Sequence, residues 1–187
     1  MTSGSTALEV DLGDGHLLRH ARVGDAAALA AACVRNREHL ARWEPVRDDD
    51  YYTVDEQVRR LGQREASDIV GTSITSLIFH GEDVVGSVNV NDIVLGVFRN
   101  GHLGYWLDGA HTGRGLMTGA VEAISGYAAG LGLHRLQAAT LLHNAASQAV
   151  LRRTGFTPIG VAEEYLKIDG RWQDHVLFQR ILEPVEG

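Results

Sequence analysis

The segment with the clearest chemical potential is Leu107-Asp108-Gly109-Ala110-His111-Thr112-Gly113-Arg114-Gly115-Leu116-Met117-Thr118. Glycines at 113 and 115 let the backbone approach a ligand closely, and the helix expected to follow aims its free N–H groups and positive dipole end at the turn. That combination suits a pyrophosphate, although Gly-x-Gly turns before helices also serve purely structural ends. The third glycine of a dinucleotide fingerprint and the Lys-Ser/Thr ending of a P-loop are both missing, which disfavours nicotinamide binding and nucleotide hydrolysis. Further along, Asn144 and Ser147 stand three apart at an expected helix start, the spacing of an N-cap and a first-turn residue. Cys33 is the only cysteine, so an intramolecular disulfide and a thiolate metal cluster are excluded. His39, His134 and His143 have no metal-ligand spacing, and no metal is expected.

These residues need elements to hold them. Residues 1–15 are small, polar and Gly-rich and read as a flexible leader with room for a short edge strand; residues 16–187 read as one domain. A strand is expected over 16–22, then an Ala-rich helix capped by Asp25 and running to about Arg37. The segment from His39 ends at Pro45, which turns Glu44 away from helix. Thr53-Val54-Asp55-Glu56 has capping-box spacing, with Val58, Leu61 and Ala66 as the face of the helix that follows. From Thr72 the period changes to that of strands: 74–79, 84–90 and 102–107. A helix bearing Leu116, Ala120, Ile124, Ala128 and Leu131 on one face comes after the glycines. The remainder reads as a strand over 136–141, a helix from Asn144 to Gly155, and strands over 156–165 and 175–181. The sum is an α+β (or α/β) fold with a mixed central sheet of about six or seven strands flanked by helices.

Composition agrees with a single domain of 187 residues: hydrophobic residues make up 44% and charged residues 22%. Seventeen basic against 24 acidic side chains leave a net charge of −7, which argues against a general nucleic-acid binder and tolerates a basic partner. Apolar runs fall short of a membrane span, and the N-terminus has no basic stretch followed by an apolar one. A cytoplasmic, reducing location fits the cysteine usage.

The order of these pieces closely resembles the GNAT N-acetyltransferase superfamily: His102-Leu103-Gly104-Tyr105-Trp106-Leu107, the glycine turn, a helix, Gly132-Leu133-His134-Arg135-Leu136, then Asn144-Ala145-Ala146-Ser147 and Gly155-Phe156. The ending Glu164-Tyr165-Leu166-Lys167-Ile168-Asp169-Gly170-Arg171-Trp172 looks like the RimJ/RimL type, which acetylates N-terminal amines of ribosomal proteins. The resemblance spans about residues 16–182. It implies that Gly113, Arg114, Gly115, Leu116, Met117 and Thr118 bind the pyrophosphate of acetyl-CoA through backbone N–H groups. It also implies that the strand through Tyr105, Trp106 and Leu107 splays from its neighbour to hold the pantetheine arm. Thr112 and Met117 stand where the family carries Gln or Arg and a small residue; backbone donors make both changes tolerable, and the side chain of Met117 is expected in the core. By the same resemblance Asn144 contacts the amide arm and Ser147 protonates the departing thiolate. Glu164 takes a proton from the acceptor amine, and Glu163 points to the opposite strand face. His102 replaces a glutamate found in relatives and is read mainly as structural, while Trp43 walls the acceptor pocket. The implied reaction is direct attack of a neutral amine on the thioester. An α-amine with pKa near 8 is about 10% neutral at pH 7 against well under about 1% for lysine, so an N-terminus needs only a weak base. The expected acceptor is a protein or peptide N-terminus. The alternatives are a small amine (an antibiotic, an aminoacyl nucleotide or a polyamine) or a non-catalytic acyl-CoA-binding module, and a homodimer is compatible with either.

Overall fold

The computed structural model describes residues 7–182. One eight-stranded sheet runs in the order β1-β2-β3-β4-β5-β6-β8-β7. Its strands are β1 Glu9–Gly13, β2 His16–His20, β3 Ile74–His80, β4 Asp83–Val94, β5 Asn100–Leu107, β6 Arg135–Leu141, β7 Thr157–Ile168 and β8 Arg171–Ile181. Only β5 and β6 are parallel neighbours. The strand beyond the expected six or seven is β1, which falls in the stretch read as a leader. It pairs Glu9 with Arg19 and Asp11 with Leu17, so residues 9–13 belong to the sheet. The leader reading of residues 1–6 lies outside the described residues.

Helices α1 Ala26–Arg35, α2 Arg37–Ala41 and α3 Val54–Ile69 precede β3, while α4 Leu116–Gly130 and α5 Ala145–Arg153 flank β6. Alternation along the strands builds two cores. Leu77, Phe79 and Val84 meet Ala26, Leu29, Ala32, Cys33 and Leu61 of α1 and α3. Leu18, Ile78, Val85 and Val88 meet the α4 stripe of Leu116, Ala120, Ile124 and Ala128, and this core continues to Leu136, Leu151 and Phe178. Leu131, expected on that stripe, lies beyond α4 and is exposed. Val58 and Ala66 are exposed as well; α3 buries Gln57 and Leu61 instead, because its inward face is narrower than the spacing suggested.

Thr53 does cap α3, accepting from the Glu56 N–H. Asp25 makes no side-chain cap on α1. Its carboxylate binds Arg19 at 2.7 and 2.9 Å and the Arg22 N–H at 2.8 Å, which ties the helix start to β2. The Ala-rich helix ends at Arg35, two residues short of the expected limit, where the buried Asn36 amide donates to the Ala32 carbonyl and to Asp108. No helix among the described residues is long and apolar enough to cross a membrane.

Candidate active site

The parallel seam is short. β5 and β6 are in register only at Asn100–Arg135, Gly101–Leu136 and His102–Gln137. Beyond that point β5 stays paired with β4 as far as Leu107, and β6 stays paired with β8 as far as Leu141. The two strands therefore diverge, leaving one edge of β5 from Leu103 to Leu107 without a strand partner. Gly101 sits at the apex, where a Cβ would overlap Val90 Cγ1 and stand 3.3 Å from Leu133, so only glycine lets the seam close. Unpaired backbone polar groups need partners, and an extended amide-bearing ligand can supply them.

At the mouth of this opening, residues 108–115 lead from β5 into α4. Gly113 and Gly115 have φ of +79° and +78°, which L side chains rarely adopt, and a Cβ at either would meet open space. The free N–H groups of the first turn of α4 face the same turn. Leu116 and Met117 send their side chains into the core, as expected for Met117. Thr112 is exposed and donates its hydroxyl to the Gly109 carbonyl at 3.0 Å. Arg114 and Thr118 flank the turn, Arg114 in solvent and Thr118 half-buried.

Two latches that the sequence did not advertise hold this loop. Asp108 is buried; one oxygen caps Ala110 N–H at 2.9 Å, and the other accepts from Arg35 Nε at 2.7 Å and Asn36 Nδ2 at 2.9 Å. Asn36 Oδ1 in turn accepts from Gly109 N–H. Burial alone would raise the Asp108 carboxyl, but these donors outweigh it and hold it below the usual range. Behind the loop His111 Nδ1 lies 3.0 Å from His16 Nε2. The only signal for the Asp108 latch was an Asp at the end of a strand before a Gly-rich turn.

Across the opening, Asn144 caps α5 by accepting the Ser147 N–H at 3.1 Å. The Ser147 hydroxyl lies 2.8 Å from the Tyr105 hydroxyl, which also donates to the Ser147 carbonyl at 3.1 Å. Tyr105 thus spans from β5 to α5. Burial pushes its phenol up to about 12 even though the Ser147 contact acts the other way. Asn144, Ser147 and Tyr105 are therefore brought together; Trp43 reaches their vicinity by packing on His143, with ring centroids 5.5 Å apart.

The cavities beside the open strand are lined by other residues than those expected to meet the acceptor. Two adjoining cavities, of about 240 and 210 Å³, share Glu44, Arg47, Tyr51 and Trp106. The first runs under Cys33, Pro45 and Asp169; the second reaches Gly104 and Tyr105 on the open strand. Trp43 lines neither. Burial raises the Glu44 carboxyl against the opposing pull of Arg47 and Arg60, and burial likewise lifts the Cys33 thiol to about 11. The β7–β8 turn closes over this side, Asp169 N–H donating to the Glu44 carbonyl at 3.1 Å.

Glu164 lies apart from both cavities. It is exposed on an irregular stretch of β7 between Ala162 and Leu166, at φ +45°, with its N–H bonded to Asp174. The bulge also breaks the alternation that was expected to place Glu163 and Glu164 on opposite faces. His102 lines neither cavity; it lies at the last position of β5 that pairs with β6, 3.9 Å from Asp92.

The sheet opens at a single parallel seam, with a glycine turn at its mouth and a cavity meeting the open strand at Gly104 and Tyr105, a layout with room for two substrates at once. The chain belongs to the acetyltransferase (GNAT) domain family, which matches residues 16–157, and is an acetyl-CoA-dependent N-acetyltransferase. It is 35% identical over 156 residues to the ribosomal protein uS5-alanine N-acetyltransferase of Escherichia coli, covering 82% of this chain and 80% of that one. It is 34% identical over 161 residues to a probable N-acetyltransferase, YjcK, of Bacillus subtilis, covering 84% and 89%. Among solved structures, the ribosomal-protein-S5-alanine acetyltransferase of Vibrio fischeri superposes with a TM-score of 0.91 at 30% identity, over 96% of this chain and 99% of that one. RimJ of Mycobacterium smegmatis, in complex with a CoA-disulfide, superposes with a TM-score of 0.85 at 29% identity, over 89% and 81%.

Proposed function

We propose that this enzyme transfers acetyl from acetyl-CoA to the α-amino group of a protein N-terminus, of the ribosomal-protein-alanine kind, in the cytoplasm. The observation that carries the reading is the meeting of the second cavity with β5 at Tyr105 and Trp106, opposite the side reached from the glycine turn. Acetyl-CoA laid along the open edge of β5 would present its thioester to an amine arriving through that cavity. The names of the uS5-alanine relatives support the acceptor class.

In this reading Gly113–Thr118 holds the pyrophosphate by backbone N–H groups, and the open edge of β5 holds the pantetheine and supplies donors for the oxyanion. Positioning of the two substrates supplies much of the rate. As the tetrahedral intermediate collapses, the Ser147 hydroxyl protonates the leaving sulfur and regains a proton through Tyr105 across their 2.8 Å contact, the phenol taking its replacement from water in the cavity. The carboxylate common to both cavities is Glu44, and it alone lines the one that reaches Tyr105, so Glu44 rather than Glu164 takes the amine proton, directly or through water. Burial sets it nearer to neutrality than an ordinary glutamate, which improves it as a base.

The test is acetyl-CoA-dependent thiol release against peptides beginning with Ala, Ser or Met, the same peptides with blocked α-amines and a free lysine, spermidine, and an aminoacyl nucleotide analogue. Release confined to free α-amines, best with Ala, is expected. Release confined to the small amines would assign the enzyme to them, and acetyl-CoA binding with no release from any amine would identify a binding module.

A further inference from the structure

The acceptor cavity is cationic in a chain that is not. The protein carries a net charge of −7, yet Arg47, Arg60 and Arg64 all line the cavity that reaches Tyr105, with Glu44 as its one carboxylate wall. Tyr51 organises two of them, its ring lying 4.6 Å from the Arg47 guanidinium carbon and 5.0 Å from that of Arg60. Arg47 shares the cavity with its ion-pair partner Glu44, while Arg60 and Arg64 have no carboxylate partner inside it. Arg47 Nε is buried without a hydrogen bond, with Glu44 Oε2 3.7 Å away. Arg60 has only a 3.6 Å contact to Glu56, which is engaged by Arg59 at 2.6 Å outside the cavity. Arg64 has no hydrogen bond or ion pair among the described residues; its nearest acidic neighbour, Asp68, is taken up by Ser73 and Thr75. Burial and repulsion from Arg60 both lower the Arg64 guanidinium. Guanidinium groups gathered and left short of acceptors in a part-closed space are the arrangement that recognises carboxylate and phosphate.

We infer that Arg47, Arg60 and Arg64 form an oxyanion subsite that binds a carboxylate or phosphate carried by the acceptor, so that the preferred N-terminus bears an acidic or phosphorylated side chain close to its first residue. This rests on the N-acetyltransferase reading of the cavity and adds a specificity to it. Glu44 beside the arginines meets the ammonium while the arginines meet the anion, and the paired charges fix the register of the peptide before attack.

The experiment uses Ala-initiated peptides carrying Glu, Gln or phosphoserine at the second, third or fourth position, with the wild-type enzyme and the Arg64→Gln and Arg47→Gln variants. At one of these positions Glu is expected to lower the acceptor KM about tenfold relative to Gln, and the gap to close to about twofold in either variant, with the acetyl-CoA KM retained as the check on folding. A phosphoserine advantage exceeding that of Glu would assign the subsite to phosphate, and the reverse order to carboxylate. Peptides acetylated with equal KM whatever their charge would overturn the subsite and leave the proposed reaction standing. If no peptide is acetylated, inorganic phosphate is titrated into CoA-saturated enzyme while tryptophan fluorescence, to which Trp106 in the cavity wall contributes, is followed. A saturable change lost in Arg64→Gln supports the subsite without the peptide reaction, and no saturable change overturns it.

Discussion

Ser147 and Tyr105 form a two-hydroxyl chain between α5 and the open strand, and the chemistry assigned to them separates cleanly from binding. Ser147→Ala is expected to lower kcat about 100-fold while the acetyl-CoA KM stays within about twofold, since the proton is needed only as the thiolate leaves. Tyr105→Phe keeps the ring and removes the relay, and about a tenfold loss in kcat is expected. Steady-state kinetics of the two variants test the order of the chain: a larger loss in Tyr105→Phe would make the phenol the immediate donor. Glu44 gives a pH signature. Its carboxyl is raised by burial, so as a base it becomes competent as pH rises through a value above the ordinary carboxylate range. The kcat profile of the wild type should therefore show an acid limb, and Glu44→Gln should flatten it; an unchanged limb would return the base to water or another group. The Asn144 cap on the Ser147 N–H and the glycine turn before α4 were legible in the sequence because each depends on neighbours within a few residues. Glu44 was not, since it becomes a cavity carboxylate only when α2, α3 and β5 converge.

The 108–115 loop owes its shape to the elements around it. Asp108 at the end of β5 is clamped by Arg35 and Asn36 at the end of α1, which couples that helix to the glycine turn. Asp108→Asn leaves Arg35 without its carboxylate and is expected to cost roughly 3 kcal/mol of stability and to raise the acetyl-CoA KM. The pH dependence follows in sign: a carboxyl held below its unfolded value of 3.8 contributes stability that is complete above that value and is lost as pH falls through the folded one. Urea melts from pH 6 down to 3 should show a smaller acid loss in Asp108→Asn than in the wild type. At the apex of the seam, Gly101→Ala forces a methyl into Val90 and should cost about 2 kcal/mol by overpacking, read from the same melts. Strand and helix periods made most elements readable. What they missed were departures from regularity: the end of α1 at Asn36 and the bulge that carries Glu164 away from the two cavities. Each is decided by contacts across elements, Asn36 with Asp108 and Glu164 with Asp174, so no local period records it.

Viewed whole, the sheet is two antiparallel halves, β1 to β5 and β6-β8-β7, joined in the strand plane by three residue pairs. The core beneath α4 and α5 crosses the seam through Ile124, Leu136, Leu151 and Phe178, so the halves stay together without ligand. The topology concentrates ligand-dependent stability in the opening and not in the core. CoA bound along β5 and at the glycine turn touches the native state alone and should stabilise it by about 2.7 kcal/mol at a hundredfold excess over its Kd. Gly115→Val separates this from folding. A Cβ at residue 115 meets no neighbour within 4 Å, so the main cost of a side chain at φ +78° is the backbone strain, roughly 1–2 kcal/mol, and the variant is expected to remain folded. The valine nevertheless projects into the space the pyrophosphate needs. Thermal melts with and without CoA should therefore show a modest fall in Tm for the free variant and near-complete loss of the CoA-induced rise. A full CoA shift in folded Gly115→Val would mean that the phosphates are held somewhere other than residues 113–118, and the assignment of the open strand as the pantetheine edge would fall with it.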